Sequence, residues 1–196
     1  KNMVVLNGKL FIQYENGNSA IKEYHDIGDG QKLYIDGSFR PEWHAKCVAF
    51  VAESGIEGIN KGEKVLVDYR VMFRYKLVGE TRFYENEISL PDGRDVFVCS
   101  NDLLIAVWRD GEWVAQGKWC LLKEHLPQDE VKEGIIISSV AQELAQKWIE
   151  ADFVSGDLDA NKGDVVMVER QYRNSYEIAW KEELMVIENT YVVIKK

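Results

Sequence analysis

Three histidines and three cysteines are the side chains of this 196-residue chain that most often bind metals or carry catalysis. His25, His44 and His125 are scattered, and none pairs with another at the spacing of a metalloprotease helix. His44 and Cys47 form a lone His-x-x-Cys, whereas a structural zinc site needs four ligands. We therefore expect this pair to serve packing, and the sequence predicts no metal site and no cofactor.

Motifs for nucleotide binding and covalent catalysis are also missing from the sequence. It contains no P-loop, no Gly-x-Gly-x-x-Gly fingerprint and no Gly-x-Ser-x-Gly nucleophile elbow. Gly28-Asp29-Gly30 is acidic, which favours a flexible loop over a phosphate site. Carboxylate runs such as Asp129-Glu130 and Glu182-Glu183 are typical of solvated faces. The sequence thus predicts that the protein is not an enzyme.

Tryptophan is the other residue type that could bind a ligand, since exposed indole faces bind carbohydrates. The chain has six: Trp43, Trp108, Trp113, Trp119, Trp148 and Trp180. Large aromatic side chains also fill small cores, and we favour that interpretation for two small domains and the seam between them.

Composition excludes further classes. Hydrophobic residues make up 46% and charged residues 29%, which indicates a folded globular chain. The 24 basic and 33 acidic side chains give a net charge of −9, which disfavours nucleic acid and anionic membranes as partners. No apolar run approaches the roughly 20 residues of a membrane span. Val4-Val5-Leu6 is too short for a signal-peptide core, and the scattered cysteines fit reduced thiols, so we expect a cytoplasmic protein. A leader ahead of Lys1 stays an open alternative.

An internal repeat organises the chain. Three anchors recur in the same order, at spacings of 109, 101 and 88 residues: Gly8–Leu10 with Gly117–Trp119, Asn60–Val67 with Asn161–Val168, and Asn101–Ile105 with Asn189–Val193. The differences between successive spacings place insertions of 8 and 13 residues in the first copy, the second of them within Lys76–Asp95. We predict two domains, 1–110 and 111–196, the first being the more diverged.

Both copies have the composition of β-structure, with short runs of Val, Ile, Phe and Tyr bounded by turn residues. The predicted strands are Val65–Arg74, Thr81–Leu90, Val96–Cys99, Leu103–Trp108, Val165–Val168, Tyr176–Lys181, Leu184–Ile187 and Tyr191–Ile194. Such a pattern favours an all-β fold of small barrels or sandwiches. Ser139–Glu150 differs: Val140, Leu144 and Trp148 have helical spacing, so a short helix or helical turn is predicted there. Its counterpart Asp36–Lys46 contains Pro41 and is expected to be irregular.

The junction between the copies is informative. Leu103–Arg109 and Glu112–Val114 flank Asp110-Gly111, the dipeptide of a tight hairpin turn. We expect the last strand of the first copy to pair with the first residues of the second, so that the domains share a sheet edge.

The order of these segments in the second copy resembles the GroES-like co-chaperonins, the ten-kilodalton chaperonin family, over nearly its whole length. The matching segments are Lys118–Lys123 as first strand, Glu124–Glu133 as polar stretch, Gly134–Ile137, a strand near Ala151–Val154, Lys162-Gly163-Asp164, Leu184–Ile187 and the closing strand Tyr191–Ile194. The first copy resembles the pattern more faintly, with Lys9–Tyr14 as first strand and Glu15–Gln31 as loop. The resemblance implies two tandem small β-barrels, each with a mobile polar loop.

The resemblance also implies a binding site. In the family, a Gly-Ile-aliphatic-aliphatic step beside the mobile loop docks in an apolar groove on an ATP-bound chaperonin ring of the GroEL type. Here that step is Gly134, Ile135, Ile136 and Ile137, with Leu33, Tyr34 and Ile35 as its counterpart in the first copy. Two departures stand out: the first copy lacks the adjacent glycine, and Trp148–Ala151 replaces the family's glycine-rich segment.

The residues of this step can also be interpreted without the family. Successive side chains of a strand point to opposite faces, so Ile135–Ile137 cannot all enter one core. At least one is expected to be exposed or to await a partner's groove or strand. The alternative is an ordinary buried strand, an interpretation that we prefer for Leu33–Ile35.

Assembly follows from the same comparison. Family rings pair the last strand of one subunit with the first strand of the next, and the Asp110-Gly111 hairpin would make that contact within one chain. Lys9–Tyr14 and Tyr191–Ile194 would remain as free edges, which predicts a homo-oligomer with an even number of domains. The alternative is a monomer with edges blunted by lysines.

The sequence therefore predicts a co-chaperonin-like protein that caps a chaperonin ring through loop motifs and assists ATP-dependent folding. The alternative is a structural or binding protein with a GroES-like barrel that has lost chaperonin docking.

Overall fold

The computed structural model describes residues 7–14, 24–34, 46–73, 75–79, 81–124, 130–132, 135–137, 147–172, 174–179 and 182–194. The chain divides into two compact units, Lys1–Trp113 and Val114–Lys196. Strands account for most of the described residues, so the predicted all-β class is confirmed. None of the helices in this part of the chain is long and apolar enough to cross a membrane.

The first ten strands lie within the first unit, and the eleventh crosses the boundary between the units after Trp113. In chain order they are β1 (Lys9–Gln13), β2 (Tyr24–Gly28), β3 (Gln31–Tyr34), β4 (Val48–Ser54), β5 (Lys64–Val67), β6 (Tyr75–Val78), β7 (Thr81–Tyr84), β8 (Glu87–Ser89), β9 (Asp95–Ser100), β10 (Leu104–Arg109) and β11 (Glu112–Ala115). A short helix, α1 (Arg70–Phe73), follows β5, and a 3₁₀ turn at Asn101–Leu103 precedes β10. Seven strands form one sheet in the order β11-β10-β5-β4-β1-β9-β8, while β2–β3 and β6–β7 are separate hairpins.

The second unit repeats this plan with fewer strands. They are β12 (Trp119–Glu124), β13 (Glu130–Lys132), β14 (Ile135–Ile137), β15 (Trp148–Ser155), β16 (Val165–Glu169), β17 (Asn174–Ala179), β18 (Glu182–Glu188) and β19 (Val192–Ile194), with 3₁₀ turns at Arg170–Tyr172 and Asn189–Tyr191. Six strands form a sheet in the order β17-β18-β12-β15-β16-β19, and β13 and β14 pair separately.

The two sheets have the same strand order once the repeat is applied. The series β10-β5-β4-β1-β9-β8 of the first unit corresponds strand by strand to β19-β16-β15-β12-β18-β17 of the second. Even the irregularities match, because both central strand pairs shift register at one bulge. It lies between Phe11 and Ile12 in the first unit and between Leu121 and Leu122 in the second. The internal repeat predicted from three short anchors is confirmed as a repeated fold.

The register corrects one of the predicted spacings. Lys9 pairs with Ser100 as Trp119 pairs with Glu188, so the first strands correspond at a spacing of 110 rather than 109 residues. Gly8 therefore corresponds to Lys118, and the two matched Gly-Lys pairs are out of register by one residue.

The cores use the same positions of the repeat. In the second unit the buried cluster comprises Cys120, Leu122, Ile149, Ala151, Phe153, Val166, Val168, Met185 and Ile187. Eight of these nine positions correspond, by the strand registers, to members of the first unit's cluster: Leu10, Ile12, Ala49, Val51, Val65, Val67, Phe97 and Cys99. The alternation of strand side chains explains the match, since residues two apart reach the same face.

The β6–β7 hairpin is the main difference between the units. It separates α1 from β8, whereas in the second unit the 3₁₀ turn at Arg170–Tyr172 leads almost directly to β17. The hairpin lies where the 13-residue insertion of the first copy was predicted, apart from its first residue, Tyr75.

Several predicted elements are wrong in part. Val65–Arg74 is not one strand, because β5 ends at Val67 and Arg70–Phe73 is helical. Thr81–Leu90 is two strands separated by a turn at Glu85 and Asn86. The helix predicted over Ser139–Glu150 fails at its end, since β15 begins at Trp148 with exposed and buried residues alternating. Residues 138–146 and 35–45 lie outside the described part of the chain.

The prediction that Lys9–Tyr14 is a free edge is also wrong. β1 lies in the middle of its sheet and pairs with β4 on one side and with β9 on the other. Its backbone is therefore already paired. The Asp110-Gly111 hairpin is confirmed: the two residues have φ of 51° and 85°, and β10 and β11 are hydrogen-bonded neighbours.

Candidate functional site

The isoleucine tripeptide of the second copy forms strand β14 of a small hairpin. Ile135 pairs with Lys132, Ile136 with Val131 and Ile137 with Glu130. This hairpin stands between β12 and β15 in the chain and belongs to neither of the large sheets. Gly134 lies outside the described residues.

The counterpart in the first copy also lies in a hairpin. Leu33 pairs with His25 and Tyr34 with Tyr24, while Ile35 lies outside the described residues. The Leu33 side chain is 57% exposed, so the buried-strand interpretation preferred for this position is wrong for Leu33. An exposed leucine on a hairpin is available to a partner surface.

The two tripeptides occupy the same position in the repeat. Leu33 and Ile135 are 102 residues apart, the same spacing that relates Val51 in β4 to Phe153 in β15. No insertion therefore separates either tripeptide from the strand that follows it. The 8-residue insertion of the first copy must lie ahead of Leu33.

The predicted mobile loops contain paired strands. Residues 24–34 overlap the predicted loop Glu15–Gln31 and form the β2–β3 hairpin, whose turn residues Asp29 and Gly30 have φ of 53° and 73°. These angles are those of a two-residue hairpin turn, which Gly permits without a steric cost. Gly28-Asp29-Gly30 is thus a structured turn and not the flexible loop that was predicted. In the second copy, β13 occupies the end of the predicted stretch Glu124–Glu133.

The cysteines are unsuited to thiolate chemistry. Cys47, Cys99 and Cys120 are all buried and unbridged. Burial raises the pKa of the Cys99 thiol to about 12 and that of Cys120 to about 11, so both stay protonated at neutral pH. In the described part of the chain, no three His, Cys, Asp or Glu side chains are grouped so as to hold a metal ion.

The tryptophans are divided between core and surface. Trp113 and Trp119 are buried, whereas Trp108 and Trp148 are more than one-third exposed. Trp108 does not present an open indole face, because Trp113 meets it edge-on with centroids 5.2 Å apart and the Lys64 Nζ lies 5.4 Å from its ring. Trp43 and Trp180 lie outside the described residues.

Two exposed apolar features were missed by the sequence analysis. Val78 and Phe83 are mostly exposed on the β6–β7 hairpin, and Val193 is mostly exposed on β19. Val193 was detectable only in part, since Tyr191–Ile194 was predicted as a strand but its exposure depends on which strands cover the edge.

The sequence itself was compared with known proteins. No protein-family model matches the chain, and no curated protein matches it.

Proposed function

We propose that this protein is a co-chaperonin-like protein that caps an ATP-bound chaperonin ring and assists ATP-dependent protein folding. Its contacts with the ring would be made by Gly134–Ile137 in the second copy and by Leu33–Ile35 in the first. The observation that carries the proposal is the spacing of these two segments: each tripeptide begins on the second strand of a small hairpin, and the two lie 102 residues apart, the spacing that relates β4 to β15.

The hairpins suit reversible docking. Because β13–β14 is separate from the six-stranded sheet, it can meet a groove or add to a partner strand without disturbing the core. Ordering such a segment on binding costs roughly 2–5 kcal/mol, which keeps the affinity moderate. A cap that leaves the ring in every cycle needs moderate affinity. The protein would catalyse no reaction itself, and ATP turnover would belong to the ring.

The finer architecture is part of the same proposal. Each large sheet would close into a GroES-like barrel, with the two barrels in tandem. The protein would be cytoplasmic and would act as a homo-oligomer with an even number of domains, since every chain carries two.

Size-exclusion chromatography with a chaperonin ring tests the proposal. The protein should co-elute with a GroEL-type ring in the presence of ATP, and Ile136→Asp should abolish co-elution because a carboxylate cannot enter an apolar groove. Val78→Asp is the matched control, since Val78 is an exposed valine on a hairpin found only in the first unit. Failure of the unaltered protein to bind, or equal loss with both variants, would contradict the proposal.

A structural or binding protein that lost chaperonin docking is the second candidate. It is favoured by the strand pairing in the described parts of both predicted loops, because the co-chaperonin interpretation expected mobile segments there. Under this alternative the ring has no effect on either hairpin.

A further inference from the structure

The second unit carries exposed aromatic side chains where β15 begins and β16 ends. Trp148 pairs with Glu169 across these two strands, so their side chains are neighbours on one face of the sheet. Val168 pairs with Val192 in β19. One step further along that pairing, Tyr191 lies on the other side of Glu169. Trp148 and Tyr191 are 37% and 38% exposed, so a carboxylate is flanked by two aromatic residues that solvent reaches.

Neighbouring side chains hold this carboxylate and one of the rings in place. Gln171 Nε2 donates to Glu169 Oε1 at 2.7 Å. Tyr172, the next residue, stacks on Tyr191 with ring centroids 3.9 Å apart. The Glu169 side chain is only 15% exposed, so its charge is partly shielded from water and attracts a cation more strongly than a fully solvated carboxylate does.

A cation of the same chain already lies at this place. Lys147 Nζ is 3.1 Å from Glu169 Oε1 and 5.6 Å from the centre of the Trp148 ring. An ammonium group over an indole is attracted by the ring as well as by the carboxylate. The Lys147 side chain is 69% exposed and has a flexible stem, so it can turn away into solvent. The site therefore has the chemistry to bind an ammonium or guanidinium group, and its occupant is displaceable.

The repeat shows that the fold itself does not require these aromatic residues. By the strand registers, Trp148 corresponds to Lys46 in the first unit. The spacing of 101 residues between β5 and β16 makes Tyr172 the counterpart of Val71. Val71 is fully buried in the first unit's core, whereas Tyr172 is more than one-third exposed. The same strands thus form without aromatic residues at these two positions, and an exposed pair of this kind is suited to binding.

We propose that this aromatic–acidic face, formed by Trp148, Glu169, Tyr172 and Tyr191, binds a lysine or arginine side chain of a partner polypeptide, which displaces Lys147. The partner's cation would be held by the Glu169 carboxylate and by the Trp148 ring. The net charge of −9 draws a basic segment towards the chain. Binding of this kind needs neither a chaperonin ring nor ATP, so its failure is distinct from failure of ring capping.

Nuclear magnetic resonance titration with a short oligoarginine peptide locates the binding. The matched control ligand has citrulline in place of arginine, which keeps the shape of the side chain and removes its charge. The expected result is a saturable shift of the Trp148 indole N–H and of amides in residues 147–150 and 169–172, with oligoarginine alone. Equal shifts with the citrulline peptide, or shifts on other acidic surfaces with none at Trp148, would overturn the proposal.

Four variants separate this site from general charge attraction. Lys147→Ala removes the internal competitor and should tighten oligoarginine binding about threefold, and Trp148→Leu or Glu169→Gln should weaken it about threefold. Lys61→Ala removes the same charge from another exposed ion pair, 2.6 Å from Glu53, and should leave the affinity nearly unchanged. Equal gains with Lys147→Ala and Lys61→Ala would show that net charge alone matters, and this result, like unaltered binding by Trp148→Leu, would overturn the proposal.

Discussion

At the scale of one residue, Tyr14 shows that a polar hydroxyl can be buried in the core at a cost in stability. Its ring packs edge-on against Phe97, with centroids 5.4 Å apart, inside the first unit's core. Its hydroxyl is the one buried side-chain oxygen or nitrogen in the described part of the chain that has no hydrogen-bond partner. Burial, with smaller contributions from Cys47 and Cys99, raises the pKa of Tyr14 well above its ordinary value.

Replacing this tyrosine should therefore not weaken the fold. Tyr14→Phe removes an unsatisfied hydroxyl, and we expect the free energy of unfolding to stay the same or to rise by about 1 kcal/mol. The two proteins should diverge further above about pH 10, where the unfolded chain ionises its tyrosine and the folded chain does not. Urea unfolding at neutral and alkaline pH measures both effects. A loss of 2 kcal/mol or more, roughly what breaking a real hydrogen bond leaves behind, would contradict the assignment.

Glu63 is the residue whose ionised carboxylate most clearly stabilises the folded state. Arg109 Nε donates to Glu63 Oε1 at 2.9 Å, and the Asn60 backbone N–H donates to Glu63 Oε2 at 2.6 Å. The hydrogen bond from Arg109, more than any other contact, lowers the pKa of Glu63. A lowered pKa gives stability that is present above the unfolded pKa and is lost as the pH falls through the folded pKa.

Acid unfolding tests this linkage. As the pH falls through the lowered pKa of folded Glu63, the unaltered protein should lose stability that Glu63→Gln does not lose, by about 1 kcal/mol because Arg109 is partly exposed. Arg109→Leu should flatten the same part of the pH profile. Urea unfolding of all three proteins at each pH measures these stabilities. If the three free energies of unfolding fall in parallel as the pH falls, the Glu63–Arg109 pair contributes nothing to stability.

The turns that precede β5 and β16 are the elements that revealed the repeat in the sequence. In both copies an acidic side chain accepts from the asparagine N–H three residues earlier, at 2.6 Å for Glu63 and 2.7 Å for Asp164. Gly62 and Gly163 have φ of 86° and 92°, which other residues adopt only with strain. Asn-Lys-Gly-acid is therefore retained for its geometry, and that is why a short motif indicated the fold correctly.

The packing of strand β15 beside β12 requires glycine at position 156, which the sequence did not reveal. A Cβ at this position would lie 2.6 Å from Cys120 Sγ and 3.1 Å from Cys120 Cα, so the strand could not keep its place beside β12. Gly156→Ala should destabilise the second unit by about 1–3 kcal/mol through overpacking, in addition to backbone strain. Gly163→Ala is the control, because its added Cβ meets nothing within 4 Å and only the φ of 92° opposes it. Chemical unfolding should rank Gly156→Ala below Gly163→Ala, and equal losses would contradict the packing argument.

At the scale of the element, a strand could be predicted where its own residues determine it, and was missed where its pairing with other strands does. Strands such as β9 and β16 were predicted because each contains a continuous run of apolar residues that turn residues bound. Trp148 was assigned to a helix because three apolar residues happened to have helical spacing, while β15 is fixed by pairing with β12 and β16. Strands β2 and β13 lie in the segments predicted as loops, Glu15–Gln31 and Glu124–Glu133, because these segments are rich in polar residues. The proposed docking tripeptides were chosen by resemblance, and local physics alone would have left them as ordinary strands.

At the scale of the whole molecule, the chain contains two copies of one fold, and their sheets differ in their edge strands. Among the described residues, β10 of the first unit has a neighbouring strand on both sides and β19 of the second unit on one side, while each copy carries its own small hairpin. A protein of this kind would present two non-identical hairpins per chain, so a ring contact would alternate between Leu33–Ile35 and Ile135–Ile137 sequences. We expect Ile136→Asp to weaken ring binding more than Leu33→Asp, because the second copy keeps the glycine beside its tripeptide.

Hydrogen exchange of the β13–β14 backbone, measured with and without a chaperonin ring and ATP, tests the central claim most directly. The account predicts that amides of residues 130–137 exchange more slowly when the ring and ATP are present, while amides of β6–β7 are unchanged. The same slow exchange in residues 130–137 with and without the ring would contradict it, because the hairpin would then be a structural element that no chaperonin contacts.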